Sequence, residues 1–147
     1  MEAMPTIWTI GYEKTTQDAL IAALQGAGVQ LLADIRYLPL SRRPGFSKSS
    51  LAAAAREGGI EYRHFKPLGT PADGRAAARR HDHAALERIY AGQLELPEAL
   101  AAMAELRAVA EEQRVALLCY ERNAAECHRS LLIGALLADF AVVDLEP

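Results

Sequence analysis

No apolar run in the 147-residue sequence approaches the roughly 20 residues that a membrane-spanning helix needs, which argues against a helical membrane protein. The opening MEAMPTIWTIGYE lacks the basic flank of a secretory signal peptide, so the cytoplasm is the expected location and no membrane partner is expected. Internal repeats, low-complexity tracts and linker-like stretches are missing too, and the length suits one domain spanning residues 1–147. Two cysteines are too few for a disulfide scaffold. In a reducing compartment they are expected as thiols, with a disulfide the weaker reading. A net charge of −3 supplies no bulk attraction for nucleic acid.

What is present is a soluble globular composition, with 51% hydrophobic and 24% charged residues and heavy use of alanine. The charge is unevenly placed. Residues 36–80 carry ten Lys/Arg against three acids, a local balance of +7 on an otherwise acidic chain. Such a segment can steer an anion toward one face, or it can be scattered over a solvated surface.

Pro5 to Gly11 alternates apolar and polar residues before a glycine, as a strand ending in a turn does. Thr15 or Thr16 can cap a helix carrying Leu20, Ile21, Leu24 and Ala27, and Val29 to Arg36 reads as a buried parallel strand. Tyr37 to Phe46, YLPLSRRPGF, is broken by Pro39, Pro44 and Gly45 and reads as a loop. A helix then starts at Ser47 or Ser49 and stops at Gly58-Gly59. Ile60 to Phe65 is a third strand, and Pro67 to Pro71 a second loop. The basic, alanine-rich 72–85 stretch has no clear period, and its His81-x-His83 reads as a solvated loop. One or two amphipathic helices follow through Leu86, Ile89, Tyr90, Leu100, Met103 and Leu106. Val115 to Cys119 is a fourth strand, Leu131 to Leu137 part of a helix, and Ala141 to Leu145 a last strand. This alternation predicts an α/β fold: a three-layer open, mostly parallel sheet of about four to five strands with helices on both faces.

Open parallel sheets bind ligands at the carboxyl ends of their strands. Those ends here run into Gly11-Tyr12-Glu13, Asp34 and Arg36, His64, and Cys119 and Glu121. Asp34 and Arg36 point the same way along a strand, as do Cys119 and Glu121, so each pair can face one pocket. A salt bridge that fixes the following loop is the plainer reading of Asp34 and Arg36. Ser41, Arg42 and Arg43, between two prolines, place several donors on a stiffened loop suited to phosphate or carboxylate.

Asn123 and Glu126 fit a capping box, which puts Cys127, His128 and Arg129 in the first turns of a helix, where an anion is favoured and a thiol pKa is lowered. A zinc site is disfavoured, because C-x7-C-H lacks the paired knuckle of structural zinc sites, and no metal is expected. The C-x5-R phosphatase loop is absent from both cysteines. Cys127 shares a helical face with Leu131 and suits a core. For Cys119 the nucleophilic and structural readings both stand.

Four ordered motifs carry a family resemblance: Thr9-Ile10-Gly11-Tyr12-Glu13; Asp34-Ile35-Arg36 with Pro39, Ser41-Arg42-Arg43 and Gly45-Phe46; Tyr62-x-His64 with Leu68-Gly69; and Leu118-Cys119-x-Glu121 with Cys127-His128-Arg129. Together, from residue 6 to about 138, they resemble the family called domain of unknown function 488. The resemblance implies a small soluble prokaryotic protein in which these positions form one site, and it names no reaction. Many members carry histidine or serine after the first glycine, where this chain has Tyr12-Glu13.

The expected function is therefore an enzyme acting on a phosphorylated or nucleic-acid-derived substrate. Asp34, Glu121 and His128 are its candidates for proton transfer and Cys119 a candidate nucleophile, with Arg36, Ser41, Arg42, Arg43 and Arg129 binding the anion. No cofactor is expected. The candidate partners are an anionic small molecule or nucleic acid, and the rival reading is a binding module without chemistry. A third reading has the motif residues only tying loops together.

Overall fold

The computed structural model describes residues 5–39, 41, 43–120 and 128–147. Five strands, β1 (Thr6–Gly11), β2 (Leu31–Asp34), β3 (Glu61–His64), β4 (Val115–Cys119) and β5 (Ala141–Leu145), form one sheet in the order β3-β2-β4-β1-β5. All four pairings are parallel. The described helices are α1 (Gln17–Gly26), α2 (Lys48–Glu57), α3 (Ala72–Arg79), α4 (His83–Leu94), α5 (Pro97–Glu112) and α6 (His128–Leu136). The expected α/β architecture, with a parallel sheet between two helical layers, is the one observed.

The strand order dictates which helix covers which face. The chain steps one way across the sheet from β1 to β2 to β3, then back from β3 to β4 to β5. Right-handed crossovers therefore put α1 and α2 on one face and α3 to α6 on the other. The core divides accordingly. Leu20, Leu24, Leu51 and Ala55 pack with Trp8, Ile10, Leu32 and Leu118, while Tyr90, Leu94, Leu106 and Leu132 pack with Ile7, Leu31, Val115 and Leu117. Alternate residues of β4 thus serve opposite cores, which is why this strand reads as a continuous apolar run.

Local signals set the boundaries. Thr16 caps α1, its Oγ1 accepting from Ala19 N at 3.1 Å. Of the one or two helices expected after residue 85, the structure has two, parted at Glu95-Leu96 with Pro97 opening α5. The 72–85 stretch is ordered: it forms α3 and the start of α4, which meet through Ala77, Ala85 and Leu86. A 3-10 turn at Lys66–Leu68 brings Gly69 so near the β2 exit that a Cβ there would lie 2.2 Å from Tyr37 N.

Candidate functional site

The carboxyl ends of β1, β2 and β4 open into a cavity of about 530 Å3. Tyr12 and Glu13 follow β1, and Arg36, Tyr37 and Leu38 follow β2. Cys119 and Tyr120 end β4, His128 opens α6, and Thr70, Arg75, Ala78, Arg79, His81, His83 and Leu86 come from the α3–α4 region. The helices leaving β2 and β4 depart to opposite faces of the sheet, and so do those leaving β4 and β1. A crevice at such switch points is where open α/β sheets hold ligands.

Arg36 borders the cavity and is held through all three guanidinium nitrogens. Its Nε and Nη2 donate to the two carboxylate oxygens of Asp34 at 2.8 and 2.7 Å, and its Nη1 donates to the Phe46 carbonyl at 2.6 Å. Asp34 is fully buried and also accepts from Arg36 N at 3.1 Å and from the Tyr62 hydroxyl. Burial alone would lower the Arg36 pKa, but the Asp34 hydrogen bond and charge outweigh it, so the net shift is upward and the guanidinium stays charged. Burial, with the Asp34 charge, holds the Tyr62 phenol above its ordinary range and keeps it a donor. With four donors on its carboxylate, Asp34 is placed to position Arg36 and does not border the cavity. The paired reading of Asp34 and Arg36 describes the geometry, and Arg36 also faces the pocket.

The other predicted anion ligands sit differently. Arg43 turns away from the cavity, its Nη1 donating to the Tyr12 carbonyl at 2.5 Å and its Nη2 to the Thr15 carbonyl, so it fastens the 43–47 loop to the β1 exit. Ser41 Oγ accepts from Arg43 N at 3.1 Å. Arg129 is buried at 1% exposure and does not border the cavity. Arg42, Glu121 and Cys127, with the expected cap at Asn123, lie outside the described residues. The +7 segment is therefore divided. Arg63 pairs with Glu105 and Arg80 with Asp82, while Arg75 and Arg79 reach the cavity.

His128 Nε2 lies 2.7 Å from the Ile35 carbonyl, which can only accept, so Nε2 carries the ring proton of the neutral imidazole. Burial lowers its pKa to about 4 against the opposing Ile35 hydrogen bond, and the Arg129 charge adds to the depression. A neutral His128 at the cavity wall is about as basic as a carboxylate. His64, at the end of β3, is engaged by the Arg36 carbonyl at 2.7 Å.

Cys119 is buried at 1% exposure and disulfide-bonded. This corrects the preference for two thiols: compartment bears on redox conditions and leaves open whether two sulfurs are near enough to join. In this form Cys119 carries no thiolate, although it borders the cavity. Among the described residues no group of His, Cys, Asp and Glu is placed to hold a metal ion, and no helix is long and apolar enough to cross a membrane.

Sequence reasoning missed the α3–α4 corner. Arg75, Ala78 and Arg79 recur at helical spacing along one side of α3, and His81 and His83 follow, all five bordering the cavity. The available signal was that spacing, together with two histidines two positions apart beside a basic helix.

Neither the curated proteins nor the solved structures contain a match to this chain. A family model does match, over residues 16–136, and covers the exits of β2, β3 and β4, the α3–α4 corner and the start of α6. The chain belongs to the family described as Domain of unknown function DUF488.

Proposed function

We propose that the protein is an enzyme acting on a small phosphorylated or nucleic-acid-derived substrate, held in the strand-end cavity. The observation that carries this reading is the composition of the cavity wall. Tyr12, Tyr37 and Tyr120 offer ring surface, Arg36, Arg75 and Arg79 offer donors and positive charge, His81 and His83 offer ring nitrogens, and Glu13 is the one acid among the described lining residues. Aromatic surface beside guanidinium groups suits a ligand that is planar at one end and anionic at the other. Glu13 and His128, at the strand ends, are lining groups able to move a proton, as are His81 and His83 at the α3–α4 corner, with Asp34 acting through Arg36.

The test is a panel of nucleotides and short oligonucleotides read by thermal shift, followed by product analysis of whichever stabilises the protein. Tyr120 lines the cavity and is 45% exposed, so its replacement by alanine is expected to leave the fold intact. Tyr120→Ala is expected to weaken the stabilisation severalfold. No stabilisation by any member at millimolar concentration would contradict the proposal.

One observation favours a binding module without chemistry as the second reading. Asp34 is saturated with donors and Cys119 is bonded, which removes two of the four expected reacting groups. A ligand that binds with salt-sensitive affinity and is recovered unchanged would select it.

A further inference from the structure

The turn between α3 and α4 is closed by Arg80 N to Ala76 O at 3.2 Å, His81 N to Ala78 O at 3.1 Å and Asp82 N to Ala77 O at 2.9 Å. His81 follows the cap with φ of 59°, in the left-handed region. Helix ends ordinarily give that position to glycine, because a Cβ makes the conformation costly. The exposed His81 side chain takes no part in the cluster of Ala77, Ala85 and Leu86 that packs the corner. A histidine where glycine would fold better, at the edge of a cavity, points to a use for the imidazole.

Its neighbours define that use. Arg75 and Arg79 lie one turn apart on α3, His83 opens α4, and all three border the same cavity as His81. Arg75 is fixed by donation to the Thr70 carbonyl at 2.9 Å and lies over the Tyr37 ring, 5.7 Å from its centroid. Glu13, at the β1 exit, is the acid that lines the cavity, while on this corner Asp73 accepts from Gly74 N, and Asp82 accepts from Ala85 N and pairs with Arg80. Neither borders the cavity.

We propose that the α3–α4 corner is a phosphomonoester subsite. Arg75, Arg79, His81 and His83 hold the terminal phosphate of the substrate, and its planar part extends toward Tyr37, Tyr12 and Tyr120. A diester offers two free oxygens and one charge, whereas a monoester offers three oxygens and nearly two charges, which two guanidinium forks and two imidazoles match better. This rests on reading the cavity as a site for a phosphorylated substrate, and narrows the class to nucleoside monophosphates.

The experiment measures calorimetric affinity of the full chain for the nucleoside monophosphates and the corresponding nucleosides, in the parent protein, His81→Gly and Arg79→Ala. One monophosphate is expected to bind at least tenfold tighter than its nucleoside. His81→Gly should raise the unfolding midpoint by about 2–4 °C and weaken that monophosphate about three- to tenfold. Arg79→Ala should weaken it more, and neither variant should alter affinity for the nucleoside. If both variants keep full affinity for a monophosphate that the parent protein binds, the subsite is elsewhere and the cavity reading survives. If no monophosphate binds the parent protein, the subsite falls. If oligonucleotides also fail to bind, the cavity reading falls with it.

Discussion

Replacing Asp34 by alanine leaves the Arg36 guanidinium, 6% exposed, without the carboxylate that receives two of its side-chain bonds. Phe46 O, the acceptor of its third bond, is a neutral carbonyl and cannot compensate the charge. Breaking a buried pair from one side costs about 3–5 kcal/mol, mostly through the stranded charge. A domain of this length has roughly 5–15 kcal/mol to lose. Asp34→Ala should therefore remain folded at low temperature in most of that range, with the unfolding midpoint down by roughly 6–20 °C. Urea denaturation of Asp34→Ala, Arg36→Met and the double variant separates the stranded charge from lost packing. If the charge dominates, the double variant is no less stable than Asp34→Ala alone, because no cation is left to desolvate. Tyr62→Phe removes one donor to the same carboxylate and should cost about 1–2 kcal/mol. A cost below about 1 kcal/mol for Asp34→Ala, or strictly additive losses in the double variant, would refute the reasoning.

His128 gives a second handle. Its folded pKa of about 4 lies below the ordinary 6.5, so the unfolded chain binds the proton more readily and stability is lost as pH falls from about 6.5 toward 4. The loss attributable to this group approaches about 3 kcal/mol, and His128→Gln should flatten the stability profile over that window. An unchanged profile would mean the imidazole is not held neutral. Gly69→Ala should lower stability by at least about 2 kcal/mol in thermal unfolding, because the added Cβ would overlap the Tyr37 backbone. Thr16→Ala removes the cap of α1 and should cost about 1 kcal/mol, with ligand affinity unchanged since Thr16 does not border the cavity.

Much of this architecture was legible from residue order. The short apolar run at Leu31–Asp34, the alternation at Glu61–His64 and the glycines that follow α1 and α2 identify buried parallel strands and crossovers, because the period of a strand is local information. The Asp34–Arg36 pair was legible for the same reason, two residues apart on a strand. Arg43 was not. Its partners are backbone carbonyls of Tyr12 and Thr15, some thirty positions away, and a carbonyl leaves no mark on the residue that bears it. The α3–α4 corner escaped because the buried residues of α3 are Gly74 and Ala77, small enough to let two helices meet without the large apolar side chains that reveal a helical period.

The strand order has a consequence for synthesis on the ribosome. β4 occupies the middle of the sheet and bonds to β2 and β1, yet it is the fourth strand to be made. Until residues 115–119 emerge from the exit tunnel, β1 has no neighbour at all and only β2 and β3 can zip together. Two-stranded pairs are marginal alone. Three-quarters of the polypeptide must therefore wait, with strand edges uncovered, for a late keystone. That makes the nascent chain a natural client for holding chaperones and a poor candidate for splitting into halves upstream of β4.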